Sequence, residues 1–239
     1  MNSFELTYQS YGPNAILLSW PQKIENDILK DIVFVKELLL KYEKKQLQDI
    51  INGYCTLLLI YNEAFNFILK EDYLRKLITS SREQLNNNRD SKKWTIPVCY
   101  HDSFALDLAS FSIEKNITKQ EVINLHTYPS YKVFCKGFLP GFMYLGGLNS
   151  KLHAPRKSEP RLKVPKNSVA IGGKQTGIYP CESPGGWHII GRTPISLFDI
   201  KNEPLSLIKI GDTLSFHEIN LSNYLALEAE NITLHDYEG

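Results

Sequence analysis

Arg156 and Arg161 stand five residues apart in KLHAPRKSEPRLKVPKN at 151–167. A planar guanidinium is the side chain best matched to a carboxylate or a phosphate. Lys151, Lys157, Lys163 and Lys166 accompany the two arginines, Glu159 is the single acid, and prolines at 155, 160 and 165 stiffen the run. Such a loop suits a small anionic substrate, or else forms a solvated basic rim that meets an acidic partner. GGKQTG at 172–177 invites comparison with a phosphate loop and fails it. Lys174 is followed by Gln175 rather than Ser or Thr, and Ser168 stands where the first glycine is required. A tight hairpin presenting Gln175 and Thr176 beside bare glycine backbone is the expected structure.

Three further segments hold candidate chemistry. GFLPGF at 137–142 places Gly137, Pro140 and Gly141 among aromatics, so a tight loop should bring backbone amides toward a pocket walled by Phe138 and Phe142. ESPGGWHIIGRTP at 182–194 combines Glu182, the Gly185–Gly186 turn, Trp187 and Arg192. Glu182 and Arg192 either pair across a hairpin or face one cleft with Gln175 and Tyr179. His126 ends a helical pattern; it could move a proton near neutral pH or favour the helix C-terminus through its charge. His188, before a β run, is expected to alternate outward.

The elements that must position these groups follow from periodicity. Ten of the 14 glycines and eight of the 12 prolines fall between 126 and 198, so each loop there is individually shaped. Around them YKVFCKG, SVAIGG, WHIIG, ISLFDI and DTLSFHEI read as short strands of a β-barrel. FALDLASFSIEKN reads as a helix, and Thr118 with Glu121 forms a capping box for the next one, which ends near His126 and Thr127. Upstream, NAILLSW and GYCTLLLIY read as strands, and 24–44 and 71–85 as helices. With TIPVCY at 95–100 and an extra strand near FELTYQS, these suggest a small α/β sandwich of split βαβ type. The fold class expected is α+β: an N-terminal α/β domain over 1–93 and a C-terminal barrel domain over 94–239.

Composition removes several function classes. A formal net charge of +1 gives no basic excess for nucleic acid. The longest apolar run, at 56–61, is too short for a membrane span, and the N-terminus has no signal-peptide core, so a cytoplasmic location is expected. Cys55, Cys99, Cys135 and Cys181 lie far apart without a CxxC pair and read as reduced thiols. No histidine pair has metal-ligand spacing, so no metal is expected.

GFLPGFxYLGGL, the spaced APR, and VPxxSVAIGGxQTGIYPxESPGGWHIIGRTPxxLFD resemble the KipI/PxpB family, the B subunits of 5-oxoprolinase, also labelled allophanate hydrolase subunit 1. The likeness is collinear over 95–217 and weaker before it, where YGPNAILLSW is similar to the family's opening strand. The chain departs from the family at YHDSFALDL and at Met143, where proline is common. The resemblance implies a cyclophilin-like barrel for the C-terminal domain. It also implies one member of an ATP-dependent 5-oxoprolinase complex, which opens the 5-oxoproline lactam to glutamate with the help of two sister proteins, the A subunit and the KipA-like C subunit. No cofactor would be bound by this chain, ATP being used through a partner, and the isolated chain would be inactive. Some members are instead described as inhibitors of a sporulation histidine kinase; a stand-alone small-molecule binding module is the remaining alternative.

The family's signature positions here are His126, Gly137, Pro140, Gly141, Arg156, Arg161, Gln175, Thr176, Tyr179, Glu182, Gly185, Gly186 and Arg192, implied to form one shared surface or cleft. In the expected mechanism Arg156 and Arg161 hold the substrate's anionic group, Gln175 polarises the carbonyl, and His126 moves a proton.

Overall fold

The computed structural model describes residues 4–83, 91–198, 207–230 and 234–237. The chain divides into two compact units, Met1–Asp90 and Ser91–Gly239. In the first, β1 (Thr7–Ser10), β2 (Ala15–Ser19), β3 (Leu47–Asn52) and β4 (Thr56–Tyr61) form a sheet of order β1-β2-β4-β3. Every neighbouring pair is antiparallel. Helix α1 (Asn26–Tyr42) links β2 to β3 with β4 lying between them, which is the split βαβ arrangement; α2 (Phe67–Glu83) follows β4. Residues Leu57, Leu59 and Tyr61 of β4 alternate into the core, where Ile28, Ile32, Val35 and Leu39 of α1 meet them. Ile24 and Tyr42, placed on the same stripe by periodicity, are exposed because the helix begins after one and ends at the other. Strand β3 went unread in the sequence: LQDIIN carries three polar residues, and only Ile50 and Asn52 turn inward.

The second unit is the barrel. Its strands are β5 (Lys93–Cys99), β6 (Tyr131–Lys136), β7 (Met143–Gly146), β9 (Ser168–Gly172), β10 (Gln175–Ile178), β12 (His188–Arg192) and β13 (Thr213–Ile219). Among the described residues these seven close in the order β10-β7-β6-β13-β5-β12-β9. TIPVCY, read as the last strand of the N-terminal sheet, is β5 of this barrel and runs parallel to β13. A separate two-stranded ribbon pairs β8 (Arg161–Val164) with β11 (Ser183–Gly185). Helices α3 (Leu108–Glu114), α4 (Lys119–Thr127) and α5 (Leu221–Ala229) complete the unit. The α+β organisation expected from the sequence is the one observed.

Local chemistry sets several of these boundaries. Thr118 Oγ1 accepts from the Glu121 amide and Glu121 accepts from the Thr118 amide, closing the expected capping box of α4. Helix α3 is shorter than expected because residues 104–106 still belong to the turns that lead into Asp107, its N-cap. Gly173, at φ +64, is the first of two residues joining β9 to β10, so GGKQTG is a hairpin. ISLFDI forms no strand through Phe198, although Ile195 and Leu197 are buried; its last two residues lie outside the described residues.

Strand alternation gives the barrel two distinct faces. Ile96, Val98, Val133, Met143, Leu145, Val169, Ile171, Ile178 and Ile190 belong to the main core. Ala170 and Ile189, the alternate positions, belong to a second cluster with Phe142, Val164, Tyr179 and Trp187, against which Tyr144 packs. Room for the indole comes from missing side chains: a Cβ on Gly172 would stand 2.5 Å from the Trp187 ring, and one on Gly177 would be 2.8 Å from the Met143 carbonyl.

Candidate functional site

The residues singled out in the sequence fall into three neighbourhoods and several separate positions rather than one cleft. The first is inside the protein. His126 is fully buried at the end of α4, with its ring stacked on Phe216 at 4.6 Å. Its Nδ1 lies 2.7 Å from the Tyr100 hydroxyl and its Nε2 lies 2.9 Å from Thr176 Oγ1. Thr176 donates its single hydroxyl proton to the Ala170 carbonyl at 3.0 Å. Nε2 must therefore carry a proton and donate it, while Nδ1 accepts from Tyr100. Burial pushes the imidazole pKa down to about 3, so the ring is neutral at ordinary pH. The expectation that His126 moves a proton is corrected on this geometry: both nitrogens are occupied by protein groups away from solvent. Thr176, expected as a surface probe, is its buried partner.

The second neighbourhood is a buried carboxylate that sequence reasoning missed. Asp107, 2% exposed, accepts from Arg161 Nη1 at 2.6 Å and Nη2 at 2.7 Å, from Lys157 Nζ at 2.8 Å and from the Ile189 amide at 2.8 Å. Burial alone would raise the Asp107 carboxyl, but the bonds from Arg161, Lys157 and Ile189 outweigh it and hold the group below the usual carboxylate value. Arg161, itself half-buried, is thus the bidentate ion-pair partner of a buried carboxylate and not a free substrate clamp, which corrects its expected role. Asp107 could have been suspected as the one acid in FALDLAS, but nothing local in the sequence ties it to a loop fifty residues downstream.

The third neighbourhood is the outer aromatic cluster. Phe142 meets Tyr144 at 4.8 Å, Tyr179 at 5.2 Å and Trp187 at 5.5 Å, each edge-on. Gly137 and Gly141 turn the preceding loop, with Gly141 at φ +85 and Pro140 exposed between them. Phe138, held at φ +70 and 61% exposed, stands edge-on to Phe142 and Tyr179. The Gly137–Gly141 loop thus carries Phe138 against the rings of Phe142 and Tyr179. Tyr179 is buried beneath, over Gly185, where any side chain would collide with its hydroxyl. Burial raises the Tyr144 and Tyr179 hydroxyls above their ordinary value, and the Arg156 charge pulls both back toward it. Arg156 therefore sits within electrostatic reach of both rings. It is exposed, and makes no hydrogen bond or ion pair among the described residues. Gln175 opens β10 opposite Gly172, half-buried, on the same outward alternation as Gly177.

The remaining residues are elsewhere. Glu182 pairs with Lys163 at 3.5 Å on the exposed ribbon, so it does not bridge to Arg192. Arg192 instead lies over the Phe104 ring at 4.8 Å and beside Tyr224. Gly186 gives its carbonyl to the Lys157 amide at 2.7 Å. His188, expected to alternate outward, is buried with Nε2 2.9 Å from the Pro155 carbonyl. Among the described residues no group of three or more His, Cys, Asp or Glu could hold a metal ion. No helix there is long and apolar enough to cross a membrane.

The fold of this chain is shared by a solved enzyme structure. The Kluyveromyces lactis urea carboxylase matches it with a TM-score of 0.75 at 19% identity, over 96% of this chain and 23% of that one, a likeness of fold. Residues 6–208 match the family described as carboxyltransferase domain, subdomain C and D, and the chain belongs to that family. A conserved uncharacterized protein from Pyrococcus horikoshii is similar at 34% identity and a TM-score of 0.54, covering 91% of this chain and 100% of that one. The Bacillus subtilis (strain 168) protein named as the B subunit of 5-oxoprolinase is 43% identical over 136 residues. That match spans 57% of this chain and 57% of the relative's length.

Proposed function

We propose that this chain is the B subunit of an ATP-dependent 5-oxoprolinase and helps open 5-oxoproline to glutamate in a complex with A and C subunits. Support comes from the relative that bears that name and from one feature of the site. Arg156 presents an exposed cation within electrostatic reach of Tyr144 and Tyr179, two rings of the outer aromatic group. A small cyclic acid offers a carboxylate for the cation and ring methylenes for the aromatics.

Ring opening delivers water to the lactam carbonyl carbon and breaks the C–N bond, leaving the nitrogen protonated as the amine of glutamate. Negative charge gathers on the carbonyl oxygen on the way, and donors aimed at that oxygen supply the largest catalytic effect. In our reading Arg156 holds the carboxylate and Gln175 donates toward the reacting carbonyl. His126, Thr176 and Arg161 shape the frame. ATP is used through a partner, in keeping with the hairpin geometry of Gly172–Gly177. The isolated chain is then inactive.

The test is reconstitution of the three proteins with 5-oxoproline and ATP. Loss of 5-oxoproline should require this chain, and the chain alone should consume none. Equal turnover without this chain, or no turnover by the full set, overturns the reading.

A further inference from the structure

Arg156 is held from both sides by hydrogen bonds unrelated to any strand it occupies. Two residues before it, Ala154 and Gly173 exchange a pair of backbone bonds at 3.0 and 2.7 Å. One residue before it, the Pro155 carbonyl accepts from His188 Nε2 at 2.9 Å. One residue after it, the Lys157 amide donates to the Gly186 carbonyl at 2.7 Å, and Lys157 Nζ reaches Asp107 at 2.8 Å. Arg161, further along, is locked to the same carboxylate. Lys157 and Arg161, the next two cations along the chain, thus share one buried acid, while the charge of Arg156 stays exposed.

We propose that Asp107 and His188 are positioning residues for an oxyanion-recognition group, Arg156. The proposal rests on the reading of Arg156 as the substrate's anchor and adds what fixes it there. A guanidinium on a free loop must be ordered when it binds; one whose neighbouring backbone is already pinned loses less freedom on binding and recognises a carboxylate or phosphate more tightly. Asp107 does two further things. It engages the donors of two nearby cations that would otherwise compete with Arg156 for the anion. It also ties the loop to the Ile189 amide of β12, and so to the frame that carries Trp187.

The experiment uses the full chain with labelled arginine side chains, followed by NMR as 5-oxoproline, acetate or inorganic phosphate is added separately. The Arg156 Nε–H resonance, assigned by its loss in Arg156→Lys, should shift on titration, and the Arg161 resonance should not. Response to 5-oxoproline and acetate identifies a carboxylate site; response to phosphate alone identifies a phosphoryl site. Asp107→Asn and His188→Ala should each weaken the apparent affinity about tenfold, the loss expected when a bound charge is no longer held in place. Neither should weaken it further in an Arg156→Ala background, where there is nothing left to position. Thermal melting of each variant identifies any that fails to fold, and the other then carries the comparison. An unmoved Arg156 resonance with every probe overturns the proposal. So does a loss in Asp107→Asn and His188→Ala that persists undiminished without Arg156. Failure of the reconstituted complex to consume 5-oxoproline defeats the functional reading separately, since this titration needs no turnover.

Discussion

The buried polar group around His126 and the exposed group around Arg156 use the same kinds of side chain to opposite ends. Inside the barrel, Tyr100, His126, Thr176 and the Ala170 carbonyl form a chain in which each proton has one destination. On the outer face, Arg156 is pinned through its neighbours, but its own guanidinium has no protein partner among the described residues. The difference teaches how to read a polar residue of a signature motif. One whose hydrogen-bonding capacity is consumed within the fold is a tie, because desolvating it unpaired would cost more than the tie returns. One whose backbone is held while its charge faces water is available for recognition.

The sharpest way to break this contrast is to remove the aromatic bed. Trp187→Ala should cost about 3–5 kcal/mol in urea unfolding, as for other buried tryptophans. A loss below about 1 kcal/mol would mean that the outer cluster is not part of the folded core. Acid comes next. His126 is neutral when folded, with a pKa of about 3 against 6.5 for the free side chain, so well above pH 6.5 it adds no proton-linked cost to folding. As pH falls below that value the unfolded chain takes a proton that the folded chain refuses. Stability should then drop by up to tenfold in the folding constant per pH unit until about pH 3. Unfolding curves at pH 6.5 and 5.5, compared with those of His126→Gln, isolate this share; an equal slope in both proteins would place the proton elsewhere.

Thr118→Ala should cost about 1 kcal/mol through loss of the α4 cap. It should leave turnover by the assembled complex unchanged, because the cap is exposed and touches nothing at the aromatic face. Arg156→Ala should change stability least, within about 0.5 kcal/mol, as expected of a surface side chain without partners among the described residues. It should nevertheless raise the KM for 5-oxoproline about tenfold or more, since a hydrogen bond to a charged group is worth about 1.5–3 kcal/mol. A large stability loss with unchanged KM would reverse the roles assigned to the two regions.

Much of the framework was legible before any coordinates. Strand β4 and helix α1 announce themselves because a period of two or 3.6 survives along the whole element. The α4 cap is legible because its two partners are three residues apart. Strands β7, β8 and β10 are only four residues long each and β11 three, too short for periodicity to register, and they surfaced only as glycine- and proline-marked loops. Strand β3 escaped for another reason: at a sheet edge, polar side chains are admitted and the alternation is weak.

Sequence by itself therefore determined the two-part α+β organisation, the strand-rich C-terminal half and the family, because these follow from local pattern and from motif order. Which arginine is free and which is captured was decided only in three dimensions. Arg156 and Arg161 share composition, loop and charge, and are separated in role by a carboxylate at position 107 and a histidine at 188 that no local spacing connects to them. Hydrogen bonds between residues so far apart exist only once the barrel has closed and brought their strands together.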